Sequence, residues 1–537
     1  MLAVGIPAMA GLVGLSRFRG PSGPTDALQQ AVLAELDQFT RWLAANDGWG
    51  YIGEVGWPDN TDGDALAWNA LANTWFDAAD RAKLWVTTWA TGEWWSPEYK
   101  LAAYVRRGGG PGVDTPNTQA RVLEAHPSTT AYLRGINVAG GSFSSPTDEP
   151  TSSFSNANPG TYDVHYHYED QATFNFLARR GLLLARVDFR WERLQPALKQ
   201  PLDPVELARL DEVVRRAGAA RLRIVLDMHN YGAYYLSDGK QGVRRAIGTP
   251  EVGPDCLADV WQRLSDHFRD EPRVIAYGLM NEPADLPRLF EASTTHETWD
   301  GPRQPWVADN DGREVLGFTT SPVRSGSQAL RVAKVFPATP GYGHLRIHDN
   351  GGSLRGRSDL SNSGDTLAVW VYVPADAPGT QWEARLFVYT ELRAFDALAS
   401  TDLIRGGWTR VTGRFSPSAL TEVRAVGLQV YANDVAGPAW VVVDELSQGS
   451  ERSPAQVWES ASQAAVDAIR ANKDEKLVMV SGYGWSRVQD WAERHPVGWI
   501  RDAANRVRYE AHHYWDRGQS SFYREPYEVE VVAAERG

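Results

Sequence analysis

The sequence predicts an α/β protein interrupted by an all-β segment, and three observations predict it. Amphipathic segments at helical spacing alternate with short apolar runs, the rhythm of an α/β barrel or a doubly wound sheet. Eight such runs can be counted, and each ends in polar or aromatic residues. Between about residues 291 and 452 the helical spacing vanishes, and short β-rich runs with turn residues between them replace it.

The first periodic stretch, DALQQAVLAELDQFTRWLAAN (Asp26–Asn46), has apolar residues at helical spacing, with Asp26 placed to cap it. GYIGEVGWP (Gly50–Pro58) follows, where short apolar residues lead into a Glu flanked by Gly, as in a buried strand that ends by presenting one carboxylate. A second helical stretch, DALAWNALANTWFDAADRA, precedes the apolar run KLWVTTWATGEWW. RRGGGPGVDTPNT (Arg106–Thr118) is rich in Gly, Pro and Thr and is expected to be a linker. The alternation then resumes through YLRGINVAG, LLLARVDFRW, LRIVLDMHNYG and VIAYGLMNEP, and later through KLVMVSGYGWS and VRYEAHHYWD. Segments such as PVELARLDEVVRRAGAA and SPAQVWESASQAAVDAIRAN supply the helices between them. In the interrupting region, QALRVAKVF, TLAVWVYVP, ARLFVYT, WTRVTGRFS, AVGLQVYA and WVVVDEL have the spacing of an antiparallel sandwich.

Bulk properties narrow the function. A chain of 537 residues has room for several domains and a large core. The net charge of -13 argues against a nucleic-acid partner and disfavours a polyanionic substrate, leaving a neutral ligand. The 22 Trp and 20 Tyr exceed what packing alone requires and suit platforms that stack on flat apolar faces, such as those of sugar rings. Cys256 is the sole cysteine, so an intrachain disulfide is excluded. No apolar run reaches the roughly 18 residues of a membrane span. The apolar segment Leu2–Leu15 has no Lys or Arg before it and is broken by Gly and Pro, so a frayed end or loop strand is expected ahead of a signal peptide.

The chemistry gathers at strand ends. GLMNEP (Gly278–Pro283) places Asn281 and Glu282 at the end of an apolar strand. With RVDFRWERLQP, LDMHNYG, HHYWD and GEVGWP, the set resembles glycoside hydrolase family 5, TIM-barrel retaining glycosidases dominated by cellulases. WATGEWW (Trp89–Trp95) is similar to the last-strand signature of the cellulase branch. The resemblance implies that Glu282 is the acid/base and Glu54 the nucleophile. It implies that Asn281 holds the sugar 2-hydroxyl, while Arg186, His512 and Tyr514 orient nucleophile and substrate. His229 and Asn230 would line the subsite beside the scissile bond, and Trp89 would be its floor. Such chemistry needs one carboxyl still protonated near neutral pH and another kept ionised, which a nearby Arg favours.

Taken singly, these residues have plainer roles. A Glu in a Gly-flanked turn is usually a solvated loop carboxylate, and an Arg inside a strand is an ion-pair partner about as often. His513 is expected to be a satisfied core histidine, and Trp94 and Trp95 serve packing or outer subsites. No two His stand at i, i+4 with a carboxylate, so metal catalysis is not expected. Jointly, all the named groups fall at the C-terminal ends of strands, where TIM barrels build active sites.

The order of the motifs differs from the family's. There it runs Arg, His-Asn, Asn-Glu-Pro, His-x-Tyr, Gly-Glu, Trp; here Gly-Glu and Trp come first. The same cycle is cut between its sixth and seventh strands, so the resemblance implies a (β/α)8 TIM barrel, circularly permuted. The insert resembles jelly-roll carbohydrate-binding modules in SPVRSGSQALRV, LAVWVYVP, GGWTRVTGRF and VVVDEL. Trp382, Tyr389, Phe395 and Tyr431 are its candidate platforms, although core positions suit most of them better.

The expected division is barrel residues 1–105, a linker at 106–130, barrel residues 131–290, an inserted jelly-roll sandwich at 291–452 and barrel residues 453–537. The expected protein is a secreted, monomeric, retaining endo-β-1,4-glucanase acting on a polysaccharide or oligosaccharide, without nucleic-acid or membrane partners. No cofactor is required, and a structural calcium ion in the insert is compatible with the resemblance. The same machinery on mannan, xyloglucan or xylan, an exo-acting form, and a glycan-binding scaffold with weak catalysis are the alternatives.

Overall fold

A computed structural model describes residues 25–59, 63–143, 153–301, 306–308, 313–349, 364–390, 395–397, 400–416 and 423–536. The apolar segment Leu2–Leu15 lies outside the described residues. The chain divides into two compact units, one made of Met1–Pro287 with Pro454–Gly537 and the other of Arg288–Ser453.

The first unit is a closed barrel. Its strands are β1 (Gly50–Gly56), β2 (Trp85–Thr91), β3 (Arg134–Val138), β4 (Leu184–Phe189), β5 (Arg223–Met228), β6 (Val274–Gly278), β7 (Leu477–Ser481) and β8 (Val507–Tyr514). They pair in the ring β1-β8-β7-β6-β5-β4-β3-β2, and β1 closes it on β2, every pairing parallel. The alternation of helix and strand therefore ends in a barrel and not in an open doubly wound sheet. All seven residues of β1 are buried, because lumen and helix layer cover its two faces. Inside, Tyr51, Leu133, Leu184, Val225, Ala276 and Met479 form one buried cluster.

The helices follow the same logic. Ala27–Ala45 begins where expected, since the Asp26 carboxylate accepts a hydrogen bond from the Gln29 amide at 2.8 Å. Its stripe of Val32, Leu36, Phe39, Trp42 and Leu43 is buried, worth about 1.5–3 kcal/mol for each large apolar side chain. Asp203 caps Pro204–Ala219 in the same way, with Pro at the first helical position.

The Gly-rich stretch expected to be a linker is anchored to the barrel. Its Val113 amide donates to Thr173 Oγ1 at 3.0 Å, and Gln119 Nε2 donates to the Trp57 carbonyl at 3.1 Å. Gly112 has φ +84°, and a Cβ there would stand 2.7 Å from the Thr173 nitrogen, so a glycine is what allows this approach.

The second unit is an antiparallel β structure. Two long strands, Ala329–Asp349 and Val423–Arg452, pair along their length. The latter also pairs with Leu289–Glu297, Thr366–Val373 and Trp382–Thr390. AVGLQVYA and WVVVDEL are therefore parts of one strand. Asp434 (φ +51°) and Gly437 (φ +69°) let it bend between them while its pairing continues. Alternate residues such as Ala384, Leu386 and Val388 enter the core, and Trp382 is buried with them. Tyr389 and Tyr431 are half-buried, and the Phe395 side chain lies outside the described residues.

Candidate active site

At the C-terminal rim of the barrel, period-two alternation turns one set of side chains inward. Glu54 comes from β1, Arg186 from β4, and His512 and Tyr514 from β8, while Asn281 and Glu282 follow β6. Arg186 is fully buried and holds the group together. Its Nη1 donates to Glu54 Oε1 at 3.1 Å and to Asn137 Oδ1 at 2.8 Å. Its Nη2 donates to Asp227 Oδ1 and Asn281 Oδ1, each at 2.8 Å, and stands 3.0 Å from Glu510 Oε1. Burial opposes its charge, but Asp227, Glu510 and Glu54 raise its pKa well above the ordinary arginine value.

Glu54 is 4% exposed, and its second oxygen accepts a 2.7 Å hydrogen bond from the Tyr514 hydroxyl. Burial, with Glu54 and Glu282 nearby, pushes the Tyr514 phenol far up, so it remains a donor. Glu282 adopts φ +44°, a left-handed conformation unusual outside glycine, which aims its carboxylate back at the rim. Its Oε1 lies 2.8 Å from His512 Nδ1, which is also 3.5 Å from Glu54 Oε2. One oxygen of Glu54, one of Glu282 and a His512 nitrogen all lie within 4.8 Å of one another. Although burial opposes the charge, Glu54, Glu282 and Glu510 push the His512 imidazole up to about 10.

His229 behaves in the opposite way. Its Nδ1 is 2.8 Å from Asp227 Oδ2, and its Nε2 is 3.1 Å from the Asn281 amide nitrogen. Asn281 spends its oxygen on Arg186, so its nitrogen donates and His229 Nε2 must be bare. Burial lowers the imidazole to about 4, in agreement with that neutral tautomer. Trp89 stacks on His229 with ring centroids 5.6 Å apart and an interplanar angle of 21°, and its indole donates to the Tyr99 hydroxyl at 2.9 Å. Trp95 in turn stacks on Tyr99 at 3.9 Å, while Trp94 stacks on His167 at 5.5 Å.

One expected neighbour is placed elsewhere. Asn230 is fully buried and turned away from the rim. Its amide donates to both Glu192 oxygens at 2.9 and 2.8 Å, and its oxygen accepts from the Trp191 amide at 2.8 Å. It ties down the loop after β5 and lines no subsite. His513, on the other face of β8, accepts from Trp75 Nε1 at 3.0 Å and meets Glu35 at 3.0 Å, a satisfied core histidine as expected.

Three buried polar residues not singled out from the sequence complete the site. Asp227 and Glu510 stand two residues before His229 and His512, so the same alternation that turned the histidines inward also turned the carboxylates. Burial pushes Asp227 up, whereas for Glu510 the attraction of Arg186 and His512 outweighs burial and holds it down. Asn137 Nδ2 donates to the Gly53 carbonyl at 2.9 Å. Among the described residues, the clusters able to share an ion are Glu54 with Glu282 and His512, and Asp77 with Asp80 and His126, all in the barrel unit.

The family model for cellulase (glycosyl hydrolase family 5) matches residues 145–308 and 434–533, which hold Arg186, Asn281, Glu282, His512 and Tyr514. The matched part of the barrel belongs to glycosyl hydrolase family 5. Residues 50–91, with Glu54 and Trp89, precede the matched stretch of this family 5 domain. A manganese dependent endoglucanase, Eg5A, of Phanerodontia chrysosporium is 26% identical over 250 residues, covering 46% of this chain and 55% of its own. Endoglucanase gh5-1 of Neurospora crassa is 28% identical over 170 residues, 32% of this chain and 38% of its own. The chain thus spans about half or less of the length of these relatives. The structure of Pseudomonas stutzeri endoglucanase Cel5A in complex with cellobiose aligns at a TM-score of 0.36 and 20% identity, covering 73% of this chain and 62% of that one. Among the described residues, no helix is long and apolar enough to cross a membrane.

Proposed function

We propose that this protein is a retaining endo-β-1,4-glucanase. The observation that carries the proposal is the approach of Glu54 and Glu282, whose nearest ligand oxygens lie within 4.8 Å. Retaining glycosidases hold their two carboxyl groups about 5–5.5 Å apart, and inverting ones about 6.5–9.5 Å apart to admit a water. In the first step Glu282 gives its proton to the glycosidic oxygen as that bond to the anomeric carbon breaks, and Glu54 forms a new bond to the same carbon. In the second step a water, losing its proton to Glu282, attacks that carbon and releases Glu54. Arg186 and Tyr514 hold Glu54 ionised and aimed, and Asn281 presents its amide to the sugar edge. Trp89, carried on the neutral His229 ring, supports the sugar plane.

The strand order supports a circular permutation. β1 and β2 precede the matched family stretch in sequence, yet they fill the ring between β8 and β3. The Tyr527 hydroxyl donates to Asp26 at 2.7 Å, so segments from opposite ends of the described chain adjoin where an unpermuted chain would run on.

For the second unit, a groove of about 290 Å³ supports glycan binding. It is lined by Tyr342, Tyr431, Arg385, Gln381 and Asn433, and the two tyrosine rings stand 5.7 Å apart. A polymer substrate too large to enter a cell supports an extracellular enzyme.

Reducing-sugar release from carboxymethyl cellulose, mannan and xylan in parallel tests the substrate class, with the cellulose derivative expected to lead. Proton NMR of the first product from a soluble oligosaccharide tests the stereochemistry. A product of inverted anomeric configuration overturns the mechanism, and no release from any of the polymers overturns the enzyme assignment.

A further inference from the structure

Both ring nitrogens of His512 face carboxylates. Nδ1 lies 2.8 Å from Glu282 Oε1 and 3.5 Å from Glu54 Oε2, and Nε2 lies 3.4 Å from Glu510 Oε1. Nε2 faces the Glu510 carboxylate and Nδ1 faces that of Glu54, and a bare imidazole nitrogen would repel either, so both nitrogens carry protons. The backbone is shaped to put Glu510 there. β1 pairs Ile52 with Ala511 and Glu54 with His512, which leaves Gly53 as an extra residue in a bulge. A Cβ on Gly53 would overlap the Glu510 carboxylate. The bulge also turns the Gly53 carbonyl to Thr87 Oγ1 at 2.6 Å and Asn137 Nδ2 at 2.9 Å, which fixes the segment leading into Glu54.

Accepting the roles given above to Glu54 and Glu282, we propose that Glu510 is a positioning residue that keeps His512 doubly protonated between the two catalytic carboxylates. The imidazolium stabilises the negative charge left on Glu282 once its proton has gone to the leaving group. Other charges around His512 do not replace Glu510. Arg186 is spread over Glu54, Asn137, Asp227, Asn281 and Glu510 itself, Tyr514 is committed to Glu54, and Asp227 is shared by Arg186 and His229. Arg487, whose backbone bridges to His512, turns its guanidinium to Asp490.

The test is Glu510→Gln in the full chain, which keeps the volume and replaces the anion facing Nε2 with a neutral amide. Nitrogen-15 NMR of the imidazole in the wild type at pH 8 should show both His512 nitrogens protonated, and the variant should titrate at least about one unit lower, the usual effect of removing one adjacent charge. The alkaline limb of kcat/KM should move down by the same amount. A neutral His512 in the wild type at pH 7 overturns the proposal without any variant. A variant titration and alkaline limb that coincide with the wild type's overturn it as well. If instead Glu54→Ala retains full activity, the catalytic assignment fails, while the His512 spectrum still decides the role of Glu510.

Discussion

Lowering the pH from 7 to 4 should remove about 3 kcal/mol of folding stability through His229 alone. In the folded barrel its Nε2 accepts from Asn281 and its Nδ1 proton goes to Asp227, so the ring is held neutral. Its pKa falls from the ordinary 6.5 to about 4, and burial is the main cause. The unfolded chain takes up the proton below pH 6.5 and the folded one resists until about 4, so stability drops as pH falls through that interval. At 1.36 kcal/mol per unit, about two and a half units less the half-titration at pH 4 give about 3 kcal/mol, and full burial leaves no solvent screening to discount. The comparison is urea unfolding of the wild type and His229→Gln at pH 7 and pH 4. Gln preserves a donor for Asp227 and an acceptor for Asn281 but cannot titrate, so contributions from carboxylates elsewhere cancel. The wild type should lose about 3 kcal/mol more than the variant over this range. Equal losses would refute the neutral buried histidine and with it the assigned direction of the Asn281 hydrogen bond.

Glu54→Ala should lower turnover on the order of 10⁵-fold or more, as loss of a covalent nucleophile does elsewhere. Added azide should restore part of it by entering the vacated space, and absence of any glycosyl azide would count against Glu54. Glu282→Ala should slow cleavage of natural glycosides by about 10²–10⁴-fold while sparing activated aryl glycosides, which need little protonation. Equal losses on both would remove it from the acid role. Chelators should leave activity at pH 7 unchanged, because a metal at Glu54, Glu282 and His512 would have to displace the imidazole proton, and restoration by Mn²⁺ after EDTA would contradict this. Tyr342→Ala with Tyr431→Ala should reduce activity on insoluble cellulose about 5- to 30-fold, from the loss of aromatic platforms worth about 1–2 kcal/mol together. Hydrolysis of short soluble oligosaccharides should be unchanged, and equal losses on both substrates would assign the tyrosines to folding.

The parts of this protein that were legible in the sequence are those governed by a period. Helical spacing marked Ala27–Ala45 and its cap, and apolar runs ending in polar residues marked the barrel strands. The same periodicity explains what was missed at the site. His229 and Asn230 are consecutive, so at a strand end they cannot both face the lumen, and Asn230 went outward to Glu192. Asp227 and Glu510 occupy the inward phase and could have been found by stepping back two residues from each histidine. The bulge at Gly53 has no such signal. It exists because Glu510, 457 positions away in sequence, needs the space of a side chain, a demand visible only once β1 and β8 are paired. In the Gly-rich stretch after β2, glycine permits close packing at Gly112.

The site also shows why the order of strands along the chain matters little to it. Arg186 stands on β4 and reaches Glu54 on β1, Asn137 on β3, Asp227 on β5, Asn281 after β6 and Glu510 on β8. A single planar guanidinium can serve such a ring because its five donors point outward in fixed directions. A lysine ammonium, a point charge on a flexible stem, could satisfy at most three partners and aim none of them. What the site requires is that these strand ends surround β4 at the right height, which closure of the barrel guarantees whichever loop carries the chain ends. The first and last described strands, β1 and β8, are neighbours in that ring, paired from Gly50 with Tyr509 to Gly56 with Tyr514. Glu54 can therefore lie in the first strand and still meet Tyr514 in the last. Cutting the ring in a loop that leaves Asn281 joined to β6 keeps every contact of Arg186 in place, so a permuted order and an intact site are compatible on physical grounds alone.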